Sequence, residues 1–397
     1  MDILYGFTDQ KNNLYITDKT IKMKNKQITA REEIIRDCEN IIVKVGTRLL
    51  TDTQRIAVFI AGINSMRKKG KKVLLVTSGA VGLGMQQLGL KKRPTELSEV
   101  QALAAIGQSK LMGLYEQECR KFGFLPAQLL LTADDLRDRE RHLNVLNCIS
   151  SLWNNNVLPV INENDSVSVD ELKFGDNDIL SALLATMTRS RLTIILTTEE
   201  GLREKVDGKL AGRVSLVEKI DDNLKSSASG TDNSTFSIGG MISKLRAAEM
   251  VNTAGDYLWI ADGRQDSTLE DILNAKDIGT LFVPAMKARM DSKKRWIKYF
   301  SRCHGKITVD AGAAEAVKCK GRSLLPSGIT GITGKFKRGD TLEISGPDGK
   351  VIGRGLSNFS SEECALLMGV QSSEIKNILK RDADDEIIHR NNLAVVA

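Results

Sequence analysis

Histidine is scarce in this sequence. Its 397 residues hold three, His142, His304 and His389. A Gly-x-Ser-x-Gly elbow is absent too, so nothing points to a serine–histidine nucleophile. The six cysteines (Cys38, Cys119, Cys148, Cys303, Cys319, Cys364) are scattered, with no Cys-x-x-Cys pair. That argues against a disulfide framework or a zinc site and for reduced thiols. The opening MDILYGFTDQ lacks the basic and apolar regions of a signal peptide. No apolar stretch approaches the roughly 20 residues of a membrane span. The expectation is a cytoplasmic protein with no membrane partner. A Walker A loop is missing, as are the Gly-rich, His-Arg-Asp and Asp-Phe-Gly elements of protein kinases. There is no long internal repeat and no low-complexity tract.

What is present is an ordinary globular composition, 41% hydrophobic and 27% charged. The length suggests roughly two or three domains. The formal charge of +7 is uneven, since 18 Lys and Arg stand against 13 Asp and Glu from Asp291 onward. An anionic partner for the C-terminal part and a plain solvated surface both account for that excess.

Strands alternate with helices from about residue 37 to about 285. Ile41–Val45, Val73–Val76, Ala127–Leu131, Val157–Ile161, Thr193–Leu196 and Tyr257–Ile260 read as strands. Gln54–Lys69 and Leu97–Lys121 read as amphipathic helices, and Thr29-Ala-Arg-Glu32 as a capping box. This alternation predicts an α/β fold, a largely parallel sheet sandwiched by helices. Beyond Cys303 the pattern changes to short β-like runs separated by glycines, GKITVD, GITGKF, DTLEIS and KVIGRG, which predicts a small β-rich domain. We expect an N-terminal extension over 1–36, a catalytic domain over 37–288 and the β-rich domain over 303–382.

Four stretches fall at strand ends or loops. Lys44-Val45-Gly46-Thr47 places a lysine and a glycine where a phosphate could approach the backbone, although a snorkelling surface lysine would look the same. Thr77-Ser78-Gly79-Ala80 ends a strand and opens a helix whose free N–H groups suit an anion; its glycines could equally serve tight packing. Asn162-Glu163-Asn164-Asp165, and ten residues later Gly175-Asp176-Asn177-Asp178, crowd short polar side chains between a strand and a helix. Turn and cap chemistry explains one such cluster. Two of them at strand ends of an α/β sheet suit a ligand site better. Ser237-Ile-Gly239-Gly240-Met241-Ile-Ser243-Lys244 puts glycines and a lysine at a helix start. Together these stretches supply two lysines, glycine turns, carboxylates and small polar groups. Phosphoryl transfer asks for those parts, because it depends on positive charge and in-line placement more than on covalent chemistry.

The ordered blocks VKVGT, VTSGAVGLG, QALAAIGQSKL, LLLTADDLRDRERHLN, LPVINENDSV, FGDNDILSALLA and GGMISKLRAA resemble the glutamate 5-kinases of the amino-acid kinase family. The tail, with GKITVDAGAAEAV and GRSLLPSGITGITGKFKRGD, resembles a PUA domain, a small β-rich pseudo-barrel. The resemblance implies ATP and Mg²⁺ acting on the γ-carboxylate of L-glutamate to give γ-glutamyl 5-phosphate, the first step of proline biosynthesis. It assigns Lys44, Lys244 and Asp178 to catalysis. It assigns Ser78, Gly79, Ala80, Asn162, Asp165 and Asn177 to the substrate, and Asp176 with Asp178 to the metal and to orienting the lysines. Lys44, Gly46, Thr197, Thr198, Gly239, Gly240, Met241 and Lys244 fall to the nucleotide. Proline as feedback inhibitor, a dimeric or tetrameric assembly and RNA contact through the PUA domain are further implications.

Three departures from the family pattern stand out. Thr198 and Arg203 occupy positions where the family has an Asp and an aromatic. Ser237, Ile238 and Ser243 alter the phosphate loop, and Arg48 replaces a small residue. A hydroxyl lost at Ile238 costs about 0.5–1.5 kcal/mol of hydrogen bonding, enough to slow an enzyme without abolishing it. Two other readings follow. One is a kinase-weakened regulatory or RNA-associated protein, with Lys293–Arg302 (KKRWIKYFSR) as either an RNA contact or an interdomain linker strand. The other is a sibling kinase for another carboxylate or carbamate, against which the INEND and GDND blocks argue.

Overall fold

The computed structural model describes residues 29–168, 176–206, 209–221, 224–225, 240–284 and 289–396. Most of the N-terminal extension, Gly175, and Ser237, Ile238 and Gly239 lie outside the described residues. The described chain forms two compact units. One comprises the chain up to Leu130, Leu152–Ala185 and Ser190–Lys287; the other comprises Leu131–Ser151, Thr186–Arg189 and Ala288–Ala397.

The first unit is built on an eight-stranded sheet ordered β3-β4-β2-β1-β5-β9-β10-β8. Its strands are β1 (Asn40–Val45), β2 (Lys72–Val76), β3 (Pro126–Leu131), β4 (Leu158–Glu163), β5 (Leu192–Thr197), β8 (Leu216–Val217), β9 (Tyr257–Asp262) and β10 (Thr280–Phe282). A separate antiparallel pair joins β6 (Arg203–Val206) to β7 (Lys209–Arg213). The central pairs β4–β2, β2–β1, β1–β5 and β5–β9 are all parallel. Their near-continuous Ile, Val and Leu runs are what burial on both faces demands. Ile41, Val43, Leu75, Val160, Ile194 and Trp259 are fully buried in one core.

Upstream of β1, residues 29–37 are helical, in the region where a capping box was expected. Ile34 and Cys38 join the core. Arg31 is wholly buried, pairs with Asp277 at 3.0 Å and lies 5.1 Å from the Trp259 ring. This part of the head is therefore packed structure.

The helices Ala80–Gln87 and Leu97–Arg120 touch backbone to backbone. A Cβ on Gly107 would sit 1.8 Å from the carbonyl oxygen of Ala80, and one on Gly84 would sit 2.1 Å from that of Leu103. Gly107→Ala should therefore force the two helices apart. We expect a loss of about 3 kcal/mol, read as a lower urea midpoint.

The second unit carries a five-stranded sheet ordered β12-β11-β13-β14-β15. These strands are β11 (Cys303–Val309), β12 (Ile329–Gly334), β13 (Thr341–Ser345), β14 (Val351–Leu356) and β15 (Leu393–Val395). Ile307, Val309, Leu342, Ile344 and Phe359 form its own core. The stretch read as an RNA contact or an interdomain linker strand is no strand but a helix, Ser292–Tyr299. Asp291 caps it by accepting the Lys293 N–H at 2.8 Å, and the Lys-Lys-Arg run has good helix propensity. Arg295 is 1% exposed and donates to the Met290 carbonyl. Arg139 stacks over Trp296 at 5.2 Å, and the His142 ring meets Phe300 edge-on at 4.8 Å. These contacts draw residues 131–151 into this unit. No described helix is long and apolar enough to cross a membrane.

Candidate active site

Register decides what stands at the carboxyl edge of the sheet. Lys44 pairs with Val76 on one side and Ile195 on the other, and Val76 pairs with Ile161. Four neighbouring strands thus end in one row. The residues just past it, Thr77-Ser78, Asn162-Glu163 and Leu196-Thr197, come together although far apart in sequence. The strand Val157–Ile161 expected from sequence extends through Glu163, so Asn162 and Glu163 are held by the sheet itself. Open α/β sheets place their ligands at this edge.

Lys44 is 5% exposed, so its side chain is no surface snorkeller. Its Nζ lies 2.6 Å from Asp178 Oδ1 and 4.0 Å from an Asp176 oxygen. Lys244 Nζ, from the helix Met241–Thr253, lies 3.0 Å from the other oxygen, Asp178 Oδ2. Asp178 is completely buried between the two ammonium groups. It also occupies the first turn of the helix Asn177–Thr188, where the helix dipole favours an anion. Burial alone would raise its pKa, but Lys44 and Lys244 outweigh that and hold it down at about 2. Burial likewise works to lower the Lys44 pKa, and Asp178 and Asp176 outweigh it to leave it raised. Asp178 and Lys44 therefore stabilise each other's charged forms against burial.

Asp176 sits at the mouth of this cluster. Its Oδ1 accepts the Asp178 N–H at 3.1 Å, and its Oδ2 accepts the Ser243 hydroxyl at 2.6 Å. Ser243, read from sequence as a departure, thus clasps the acidic loop.

On the other side of Asp178 runs a chain of amides. Asn177 Nδ2 donates to the Thr77 carbonyl at 2.7 Å, to Ser78 Oγ at 2.8 Å and to Asn162 Oδ1 at 3.0 Å. Asn162 Nδ2 donates in turn to Gln108 Oε1 at 3.0 Å. Gly79 stands at φ 92°, the left-handed conformation that glycine tolerates, and so turns the chain into the helix Ala80–Gln87. Asp165 lies partly buried in the turn after β4.

The nucleotide positions expected from sequence gather at the same edge. The Gly46 N–H donates to the Leu196 carbonyl at 3.2 Å, next to Thr197, and a Cβ on Gly46 would lie 3.9 Å from Lys44 Nζ. Gly240 begins the Met241 helix with no side-chain cap on its N–H groups. Thr198 follows the end of β5. Arg203 is exposed and pairs with Glu200 at 3.0 Å, and Arg48 is exposed.

Residues 39–262 match the model of the amino acid kinase family, and residues 305–379 match the PUA domain. A protein of Desulfotalea psychrophila named glutamate 5-kinase is 43% identical over 378 residues, covering 92% of this chain and 99% of that one. The chain belongs to the glutamate 5-kinase family. Glutamate 5-kinases of Syntrophus aciditrophicus and Geobacter sulfurreducens, 38% and 39% identical, are covered over 96% and 100% of their lengths. The match thus spans both the kinase part and the PUA part of these relatives.

Two contributors of the site escaped the sequence reading. Gln108 and Tyr115 project from the buried face of Leu97–Arg120 toward the ends of β4 and β2, and Tyr115 Oη lies 2.7 Å from Thr77 Oγ1. Their spacing of seven residues, two helical turns, was a usable signal. Buried aliphatic neighbours such as Leu111 masked it.

Proposed function

We infer that the chain transfers the γ-phosphoryl group of ATP to the γ-carboxylate of L-glutamate, giving γ-glutamyl 5-phosphate and ADP for proline biosynthesis. The observation that carries the mechanism is the buried carboxylate of Asp178 bridging Lys44 and Lys244. The two ammonium groups are thereby held fixed beside each other, ready for the charge that develops on the transferring phosphoryl oxygens. A glutamate γ-carboxylate oxygen attacks phosphorus, and the bond to the β,γ-bridging oxygen breaks with ADP as leaving group. A carboxylate is already nucleophilic at neutral pH, so no general base is needed.

In this reading Ser78, Gly79, Ala80, Asn162, Asp165 and Asn177 hold glutamate, and Gly46, Thr197, Thr198, Gly239, Gly240 and Met241 hold the nucleotide with the two lysines. Mg²⁺ suits the donor set at Asp176, whose carboxylate oxygens each accept one hydrogen bond and keep lone pairs to spare. Magnesium commonly combines one or two carboxylates with phosphate oxygens and water. Asp178 suits it less, because both its oxygens face ammonium groups; its role here is to orient the lysines. When bound, the metal neutralises charge on the phosphate oxygens. The domain limits 37–288 and 303–382, inhibition by proline, assembly as dimers or tetramers and RNA contact by the PUA domain are parts of the same proposal.

The test is acyl-phosphate trapping. Purified protein with Mg²⁺, ATP, L-glutamate and hydroxylamine should yield γ-glutamyl hydroxamate. Aspartate and N-acetylglutamate should yield little. Equal product from N-acetylglutamate would overturn the assignment, since a blocked amine should not fit a site built to hold it.

A further inference from the structure

We propose that Gln108 is a substrate-binding and specificity-determining residue, whose side-chain N–H groups receive the α-carboxylate of the amino-acid substrate. This rests on the glutamate reading above. The block QALAAIGQSKL contributes to the family resemblance, yet no role falls to any of its residues there.

The argument starts from amide orientation. Asn177 Nδ2 serves three acceptors, the Thr77 carbonyl, Ser78 Oγ and Asn162 Oδ1. A carbonyl oxygen in that place would face two other oxygens, so Asn177 has only one tenable flip. Asn162 Oδ1 accepts both from Asn177 and from the Glu163 N–H at 2.9 Å. Its flip is fixed too, and its Nδ2 must donate to Gln108 Oε1. That leaves Gln108 with Nε2 pointing away from the chain.

The two ends of this relay are open. Gln108 is 7% exposed, and its Nε2 is buried with no hydrogen-bond partner among the described residues. Asn177 Oδ1 is buried and equally without one. A buried unsatisfied polar group is costly, and native proteins keep few of them. Here one open donor and one open acceptor belong to a single hydrogen-bonded network. They have the polarity of an amino acid's carboxylate and ammonium groups. The donor end also stands farther along the network from the lysine pair. Lys44 and Lys244 contact Asp178, Asn177 adjoins it, Asn162 follows, and Gln108 is last. The γ-carboxylate must reach the lysines, so the α-carboxylate falls to the Gln108 end. Gly107 permits this placement, since the close approach of its helix to Ala80 brings the next side chain over β4.

Two variants test the idea in the full-length protein, each checked first for a cooperative thermal transition. Gln108→Met removes donor and acceptor at nearly constant volume. Its KM for glutamate should rise at least tenfold, with kcat and the KM for ATP within about threefold of wild type. Gln108→Glu keeps an acceptor for Asn162. While protonated, the introduced carboxyl also keeps one donor; once ionised, it repels the substrate carboxylate. Its glutamate KM should therefore climb at least tenfold from pH 6 to pH 8.5, while the wild-type value changes little. A purely structural role would lower the melting temperature and leave this pH dependence flat. An unchanged glutamate KM in Gln108→Met overturns the proposal, as does a flat wild-type-like KM in Gln108→Glu. Should Gln108→Met fail to fold, the pH profile of Gln108→Glu decides alone. The wild-type hydroxamate assay run alongside separates this from failure of the glutamate reading, which would show as no product from the unaltered enzyme.

Discussion

Lys244→Ala should lower kcat by about a thousandfold or more, the range seen when a single cationic group is withdrawn from a phosphoryl-transfer transition state. The substitution removes one of the two ammonium groups that Asp178 bridges. It also changes the local charge. Lys44, Lys244, Asp176 and Asp178 sum to zero, so the variant leaves one net negative charge where the triphosphate must sit. The KM for ATP should rise with the loss of kcat, and added Mg²⁺ should recover part of the first and little of the second. The KM for glutamate should change less than the KM for ATP, because the amide network from Asn177 to Gln108 is held by its own hydrogen bonds. Steady-state kinetics at saturating glutamate, with hydroxamate as readout, give all three numbers. Loss of less than tenfold in kcat would mean that Lys44 alone carries the charge stabilisation, and the paired-lysine mechanism would fail.

The outline of this fold was legible because its strands are buried on both faces. Runs such as IIVKV and VLLV admit few alternatives, and their alternation with amphipathic helices implies parallel pairing. The polar clusters at 162–165 and 175–178 stood out because short polar residues interrupt apolar strands and helices, and the structure brings Asn162, Asn177 and Asp178 to one sheet edge. Register was not legible. Nothing local in VKVGT says that Lys44 is buried; that follows from the row it shares with Val76, Ile161 and Ile195. Only the folded chain brings Lys244, some 200 residues later, to the opposite oxygen of Asp178.

The same limit explains one misplacement and one omission. KKRWIKYFSR carries a dense positive charge, which reads as surface, yet Arg295 is buried because its fork finds backbone carbonyls at Met290 and Thr186. Gln108 carries no charge and sits among apolar helix residues, so nothing local singles it out. Its role depends on Asn162, a partner 54 residues away. Long-range satisfaction of buried polar groups is the information that a linear pattern holds least of.

Asp178→Asn should separate stability from activity along the pH axis. In the wild type the carboxylate is held at about 2 by Lys44 and Lys244 against the effect of burial. Its unfolded value is about 3.9. The stability it contributes is thus complete above roughly pH 5 and lost as pH falls through its folded value. Lys44 is raised above 10.5, chiefly because its two acidic neighbours outweigh burial, so its contribution persists until pH rises past that point. Between these limits the contribution of this pair to wild-type stability is constant, so the wild-type curve is the reference from which the variant's is subtracted. Replacing the carboxylate by an amide leaves two buried ammonium groups with one counter-charge fewer, a change that costs about 3–5 kcal/mol. Burial then governs Lys44 and pushes its pKa below that of the unfolded chain. Unfolding would recover the lost protons, so the variant's stability should rise as pH is raised from 6 to 9. Its kcat, already reduced at least a hundredfold, should move the other way, because the reaction needs the lysines charged. Thermal melts and initial rates across that range, measured on the same preparations, check both limbs. Parallel movement of melting temperature and kcat would mean that Asp178 serves folding alone; opposed movement identifies the carboxylate as the group that keeps Lys44 charged in a dry site.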